Sequence, residues 1–457
     1  MCGIAMIIGR HLFEGDRMER VNAALDTISH RGLPGRRNVV TNDIVTMGHV
    51  RLPIRGLGTW YDQPIATDDY TGVFVGEIFG IDEVNDAEYV MRLLNDEGPA
   101  ALSQHDGFWA IAFHDHWMGT TKVLTDHLAI KPLYWHEDEG IIASELRAVI
   151  NLAHYPLTID QHYLSNVRKW GYDPSERTPY KEIKRLEAGT CYTFGPRGQL
   201  LFKHKYFDLK PDPGLNVRTE VEEAVSNRLV GDVPVATLCS GGLDSTIVSL
   251  LAAQQSQGMT VFHINAGSKE DREAFDSIDW PNHVRKMHVH LPEKVNHGLW
   301  VEALNATEEP VDLGSVLPQF QLGRALKEEG FNVVLTGDGA DELFGGYRRA
   351  HEYDSQYSDI FSELVHYHNP RLDKCMMAST VELRSPFMAP NVIRAAMAIP
   401  WFHNRQNKEV LKHYFQDLVP RNILERPKVP LKTAAVIQGG DTYRKKVIDQ
   451  FLKGVAA

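Results

Sequence analysis

The six residues Ser240-Gly241-Gly242-Leu243-Asp244-Ser245 have the composition of a loop that grips an oxyanion. Two glycines let the backbone turn tightly and bring its N–H groups against phosphate oxygens. The hydroxyls of Ser240 and Ser245 can donate to the same anion. A helix predicted over Thr246 to Gln255 would turn its positive end toward it. Asp244 beside a phosphate implies a cation held between them, and magnesium is the natural one. The GxxxxGK[ST] spacing of a Walker loop is absent. A second segment, Leu335-Thr336-Gly337-Asp338-Gly339-Ala340-Asp341-Glu342-Leu343-Phe344-Gly345-Gly346-Tyr347, also follows an apolar strand. Asp338 and Asp341 can meet a metal or substrate there, with Gly337 and Gly339 allowing close approach. Alone, the first segment could be a capping turn and the second an acidic surface turn. Both at strand carboxyl ends, they point to one nucleotide site.

A third candidate is Cys2, followed by Gly3-Ile4-Ala5. Removal of Met1 would leave a first-residue cysteine with its own α-amine, of pKa about 8, beside the thiol. Such an amine can act as the base that activates the sulfur.

The elements that must carry these groups fall into two rhythms. Over the first two hundred or so residues, short apolar strands alternate with turns: Gly3 to Ile8, Ile44 to Val50, Val73 to Val75, Trp109 to His114 and Ile141 to Ser144. Met18, Val21, Leu25 and Ile28 predict a helix over Arg17 to His30, and another runs near Ala87 to Asn95. This is a layered α+β pattern. Leu209-Lys210-Pro211-Asp212-Pro213-Gly214 then reads as a connector, dividing a domain over 1–208 from one over 215–457. Beyond it, strands at Val233 to Cys239, Thr260 to Ile264, Arg285 to His290 and Val333 to Thr336 alternate with helices. That predicts a parallel α/β sheet.

Bulk composition excludes several functions. A net charge of −12 argues against a grip on nucleic acid. Cys2, Cys191, Cys239 and Cys375 form no CxxC pair, so neither a disulfide frame nor a zinc knuckle is expected. His114-Asp115-His116 and His288-Val289-His290 alternate as strand residues do, and none of the 21 histidines has HExxH spacing. No apolar run approaches the roughly 18 residues of a membrane span, and no signal peptide is evident. A cytoplasmic location is therefore expected, with no membrane partner.

Together these segments resemble the glutamine-hydrolysing asparagine synthetases, through both halves of the chain. The Ser240–Ser245 loop resembles the pyrophosphate loop of enzymes that split ATP between its α and β phosphates. Class II glutamine amidotransferase domains begin Cys-Gly-Ile, as here, and their Arg-Gly-Pro segment is matched imperfectly by His30-Arg31-Gly32-Leu33-Pro34. Asp126 to Tyr134, Ala143-Ser144-Glu145 and Val381 to Phe387 are further matching segments, the last on the acceptor side. The resemblance implies an N-terminal nucleophile αββα domain followed by an ATP-pyrophosphatase domain. It implies Cys2 as nucleophile and Gly76 as a backbone oxyanion donor. Arg51, Glu77 and Asp106 would hold glutamine, Arg51 taking the carboxylate and Asp106 the ammonium. Leu238, Ser240, Gly241, Gly242, Asp244, Ser245, Ile264 and Gly337 would bind ATP, and Asp244 with Asp341 would hold Mg2+. Asp338 would serve the second half-reaction and Lys428 the departing pyrophosphate. Glutamine, aspartate and ATP are the implied substrates, and a homodimer is what the family suggests.

One departure concerns the family's Asn-Gly-Glu-Ile-Tyr-Asn, which here reads Val75-Gly76-Glu77-Ile78-Phe79-Gly80. Valine cannot replace the asparagine as an oxyanion donor, and one lost donor costs on the order of a hundredfold in rate. Weak glutaminase is therefore expected. Rival readings keep the fold: a lactam-forming relative, or an amidotransferase for another carboxylate. Lactam-forming relatives often lose the cysteine and carry tyrosine at the position of Asp338, so Cys2, Arg51, Asp106 and Asp338 disfavour them. A glutamine or nucleotide sensor without turnover is the rival of another class, and the intact phosphate loop disfavours it.

Overall fold

The computed structural model describes residues 2–9, 14–265, 269–290, 297–311, 314–347, 362–404, 407–426 and 441–455. In its first half, the strand Gly3–Ile8 is buried along its whole length. Ile4, Met6 and Ile8 enter one apolar cluster while Ala5 and Ile7 enter another. Successive strand residues face opposite ways, so an unbroken apolar run means that both faces are covered. The strand pairs antiparallel with Val45–Val50 on one side and Ile141–Ala143 on the other, inside a sheet of six described strands. A second antiparallel sheet of six described strands is centred on the ten-residue strands Tyr70–Phe79 and Asp106–Asp115.

The cluster containing Ile4, Met6, Val73, Val75 and Ala112 fills the space between the two sheets. Helices Glu14–Thr27 and Leu146–Leu152 cover the outside of the first sheet through Val21, Leu25 and Val149. Helix Asp86–Asp96, capped by the Asn85 side chain on the Glu88 N–H, covers the second through Val90, Met91 and Leu94. The result is a four-layer αββα unit.

Two boundaries differ from the sequence expectation for physical reasons. The helix expected over 17–30 stops at Thr27, followed by a single 3-10 turn over Ser29–Arg31. Ile28 still packs into the same cluster, so apolar spacing outlasts the helical hydrogen bonding. The strand expected over Val73 to Val75 runs on to Phe79 because Gly76 lies inside it rather than ending it. Gly76 has φ +145°, and a Cβ there would stand 1.9 Å from the Phe108 carbonyl oxygen, so the ladder passes only with glycine.

In the second half, five parallel strands lie in the order Arg285–His290, Thr260–Asn265, Val235–Leu238, Val333–Leu335, Glu382–Arg384. The last was not expected as a strand. Helix Leu243–Gln255 begins three residues before the predicted start, which brings Asp244 and Ser245 into its first turn. No helix among the described residues is long and apolar enough to cross a membrane.

The halves meet across a buried polar face. Asp373, on helix Asn369–Met377, pairs with Arg31 at 2.9 Å and Lys131 at 3.3 Å. Its neighbour Lys374 pairs with Glu308 and Glu309, and Glu309 also takes Arg185 at 2.9 Å. Although burial opposes ionisation, Lys374 and Arg185 hold the Glu309 carboxyl down at about 2. Buried networks of this kind fix one arrangement, because a shifted register would strand a charge without a partner.

Candidate active sites

A cavity of about 550 Å³ opens at the carboxyl ends of the parallel strands. Leu238, Ser240, Gly242, Asp244, Ser245, Gly337, Asp338 and Asp341 all line it. The first loop is held by its own polar atoms. The Ser240 N–H donates to Ser245 Oγ at 3.1 Å, the Gly242 N–H to Ser240 Oγ at 3.3 Å, and Ser245 Oγ to the Gly242 carbonyl at 3.2 Å. The two loops touch at Gly337, where a Cβ would fall 2.7 Å from the Ser245 nitrogen. Glycine is what lets the second loop close on the first. Gly241 accepts from Arg426 at 3.3 Å through its carbonyl, and Arg426 also pairs with Asp271. Asp338 accepts from Thr336 Oγ1 at 2.6 Å through Oδ2. Ile264 lies in the neighbouring strand, and Lys428 lies outside the described residues.

Lys408 is a member of this site that the sequence did not announce. Its ammonium lies between the carboxylates of Asp244 and Asp341. Burial would lower its pKa, but the two carboxylates outweigh burial and raise it. The backbone carries the cost, since Asn407 and Lys408 adopt φ +49° and +60°. Left-handed backbone at two adjacent non-glycine residues persists only where surroundings enforce it, often at functional sites. The Lys408 N–H, anchored on the Phe344 carbonyl at 3.0 Å, is part of that enforcement.

The opposite wall is aromatic and comes from both halves. Tyr172 of the first half packs on Tyr367 with ring centroids 5.3 Å apart. Tyr172 follows helix Gln161–Trp170, capped by Asp160 and closed by Gly171 at φ +90°. Those two cap residues were the sequence signal for a helix that the strand-and-turn reading passed over. Tyr367 lies in a π-helical turn, Leu364–His368, of a kind frequent at functional sites.

At the amino terminus, Cys2 is half-buried against the cluster between the sheets, with Sγ 3.9 Å from the Leu52 carbonyl oxygen. Burial pushes its thiol up, while the chain's amino terminus and Arg51 pull it down. Arg31 Nε donates to the Cys2 carbonyl at 3.0 Å, so the peptide of Cys2 is tied to the buried interface network. Arg51 donates to the carbonyls of Arg55, Gly56 and Gly58 and pairs with Asp62 at 3.1 Å, which folds the loop 55–62 around its guanidinium. Val75, 1% exposed, puts its methyls into the cluster against which Cys2 packs.

The nearby carboxylates have distinct partners. Both oxygens of Asp106 accept from Arg228, at 2.8 and 2.9 Å. That arginine ends helix Val217–Arg228 of the second half, a partner 122 residues away in sequence. Asp106 thus pairs across the interface. The carboxylate beside Glu77 is instead Asp86, whose Oδ2 is buried without a hydrogen-bond partner, as is Glu77 Oε2. Burial raises both carboxyls, Asp86 to about 6; Asp86 and Glu382 raise Glu77 further, while Arg55 offsets part of the rise at Asp86. Glu382 also acts on the Cys2 thiol, so the thiol and both carboxylates share one neighbourhood. Arg384 closes it, 3.6 Å from Glu77 and 2.7 Å from Glu382. The signal for Asp86 was its position at the start of a capped helix directly after the Gly76-Glu77 strand.

Comparison with known proteins adds an independent observation. The asparagine synthase model matches residues 216–368 and 354–451, and the glutamine amidotransferase domain model matches residues 1–207. Asparagine synthetase [glutamine-hydrolyzing] 3 of Bacillus subtilis (strain 168) is 24% identical over 541 residues, covering 94% of this chain and 86% of its own. Asparagine synthetase B [glutamine-hydrolyzing] of Escherichia coli (strain K12) is 25% identical over 510 residues, covering 98% and 85%. A putative asparagine synthetase [glutamine-hydrolyzing] 2 of Methanocaldococcus jannaschii is 27% identical over 402 residues, covering 76% of each. With two loops meeting in one cavity behind a Cys2-led αββα unit, the chain belongs to the asparagine synthase family and carries that family's synthase domain behind a glutamine amidotransferase domain.

Proposed function

We propose that the chain is an ATP-dependent asparagine synthetase that takes its nitrogen from glutamine. The observation that carries this reading is the convergence of Asp244, Asp341, Lys408 and Asp338 with the Ser240–Ser245 loop in a single cavity. ATP phosphates fit the N–H and hydroxyl donors of that loop. Asp244 and Asp341 already share one cation, the Lys408 ammonium, and are hard oxygen donors; they fit Mg2+, with positions left for phosphate oxygens. Bound there, Mg2+ would neutralise phosphate charge.

Cys2 sulfur attacks the glutamine side-chain amide, the C–N bond breaks, ammonia leaves, and water hydrolyses the thioester to glutamate. In the second site the aspartate side-chain carboxylate attacks the α-phosphorus of ATP, and pyrophosphate leaves from a β-aspartyl-AMP. Ammonia then attacks the acyl carbon and AMP departs. Lys408 stabilises charge on the leaving pyrophosphate, a role shared with Lys428. Release of pyrophosphate from ATP that requires both enzyme and aspartate supports this. Release by no carboxylate at all favours the sensor reading, and release with another carboxylate alone moves the acceptor.

Asp86 takes the glutamine ammonium in this reading, since its Oδ2 is buried without a hydrogen-bond partner while Arg384 stands beside Glu77. Folding raises its pKa from 3.8 to about 6, so the folded chain keeps a proton that the unfolded chain has released. Stability therefore falls as pH rises between those values, and the cost, up to about 3 kcal/mol, persists above them. Asp86→Asn should raise the denaturation midpoint at neutral pH while raising the KM for glutamine by more than tenfold. A stabilised variant with unaltered glutamine kinetics would return the ammonium to another carboxylate.

Val75 leaves the Gly76 N–H as the oxyanion donor on this strand. The wild type is thus expected to be a slow glutaminase, with ammonium an effective substitute donor. Val75→Asn should raise glutaminase kcat by about tenfold or more. Ordinary wild-type turnover that the substitution does not change would refute this account of Val75.

A further inference from the structure

The aromatic wall of the cavity holds a buried cation that makes no ion pair among the described residues. Arg371 lies on helix Asn369–Met377, is 8% exposed, and lines the cavity. Its guanidinium stacks over Tyr367, 5.2 Å from the ring centroid, and Nη1 donates to Ser315 Oγ. Ser315 Oγ in turn lies 3.1 Å from the Tyr367 hydroxyl. Arg371 Nε has no hydrogen-bond partner, and among the described residues no carboxylate lies within ion-pair distance of the guanidinium. Three other cations of the same cavity differ: Lys408 has Asp244 and Asp341, Lys412 has Glu409, and Arg426 has Asp271. A buried guanidinium left without an anion is strongly disfavoured, and a bound anion would relieve it.

We infer that Arg371 receives a second anionic group of the acceptor, one remote from the carboxylate that is adenylated, and so selects dianionic acceptors. This rests on the proposed amide-forming reading. The anion is assigned to the acceptor rather than to ATP because of where the other cations stand. Lys408 and Arg426 attend the phosphate loop at Asp244 and Gly241, whereas Arg371 is fixed by Ser315 and Tyr367 on the aromatic wall. Burial opposes the charge on Arg371, while Tyr367 and Asp338 favour it, Asp338 without an ion pair. A planar fork held by stacking suits bidentate capture of a carboxylate.

The test compares L-aspartate with 3-aminopropanoate, which is aspartate without its α-carboxylate, in the full-length wild type, Arg371→Met and Arg371→Lys. Pyrophosphate release is followed with saturating ammonium. Arg371→Met should lower kcat/KM for aspartate by about 100-fold, mainly through KM, the loss expected for a charge-assisted pair. The same change should move 3-aminopropanoate and the KM for ATP by less than about threefold, and Arg371→Lys should recover part of the loss. Equal losses with both acceptors, or a loss confined to ATP, would overturn the inference in favour of a structural or phosphate role. Calorimetric binding of succinate without ATP separates this from failure of the underlying reading. Succinate bound by the wild type and lost in Arg371→Met supports the anion site even if no pyrophosphate appears. No succinate binding by the wild type at millimolar concentration, with equal rates on the two acceptors, overturns it.

Discussion

Replacing Cys2 with alanine is expected to abolish amide formation from glutamine and to leave formation from ammonium within about twofold of the wild type. In the proposed reading the two chemistries use separate sites. Cys2 packs against the cluster between the antiparallel sheets, while the Ser240–Ser245 and Gly337–Asp341 loops sit at the end of the parallel sheet. Nothing in the Cys2 side chain holds the interface together, since Sγ has one weak contact, with the Leu52 carbonyl. The interface is carried by Arg31, Asp373, Lys374 and Glu309 instead. A side-by-side assay of both nitrogen donors checks this. Glutamine-dependent activity that survives the substitution would refute Cys2 as nucleophile.

Replacing Lys408 with methionine is expected to reduce pyrophosphate release by about 100- to 1000-fold with either nitrogen donor, as loss of one preorganised charge does elsewhere. The variant also leaves Asp244 and Asp341 facing each other without the ammonium between them. Without metal, the midpoint of denaturation should fall, because two nearby half-buried carboxylates repel. Adding Mg2+ should then raise the midpoint more in Lys408→Met than in the wild type, where the ion competes with the ammonium. A thermal-shift titration separates the outcomes: equal Mg2+ responses would show that the carboxylate pair is not the ion's site.

The sequence was most legible where chemistry is local. Ser240 to Ser245 is contiguous, so its glycines, hydroxyls and following helix could be read together, and Gly337 to Asp341 likewise. The strand Gly3–Ile8 was plain because two-sided burial makes every residue apolar. What stayed hidden depends on distant chain segments. Lys408 meets Asp244 across 164 residues, and only its left-handed backbone marks it, which a sequence does not display. Asp106 stands in a family-like segment, yet its partner is Arg228, set by how the two halves dock. Tyr172 reaches the second site for the same reason. Gly76 misled the strand boundary because a glycine that permits close packing and one that makes a turn look alike in sequence.

The most direct measurement supplies glutamine labelled with 15N in its side-chain amide, together with aspartate and ATP, and follows all products together. The account predicts 15N in the asparagine side-chain amide, with one AMP and one pyrophosphate formed for each amide made. Formation of ADP and phosphate, or asparagine that carries no label while labelled ammonia stays in solution, would contradict it.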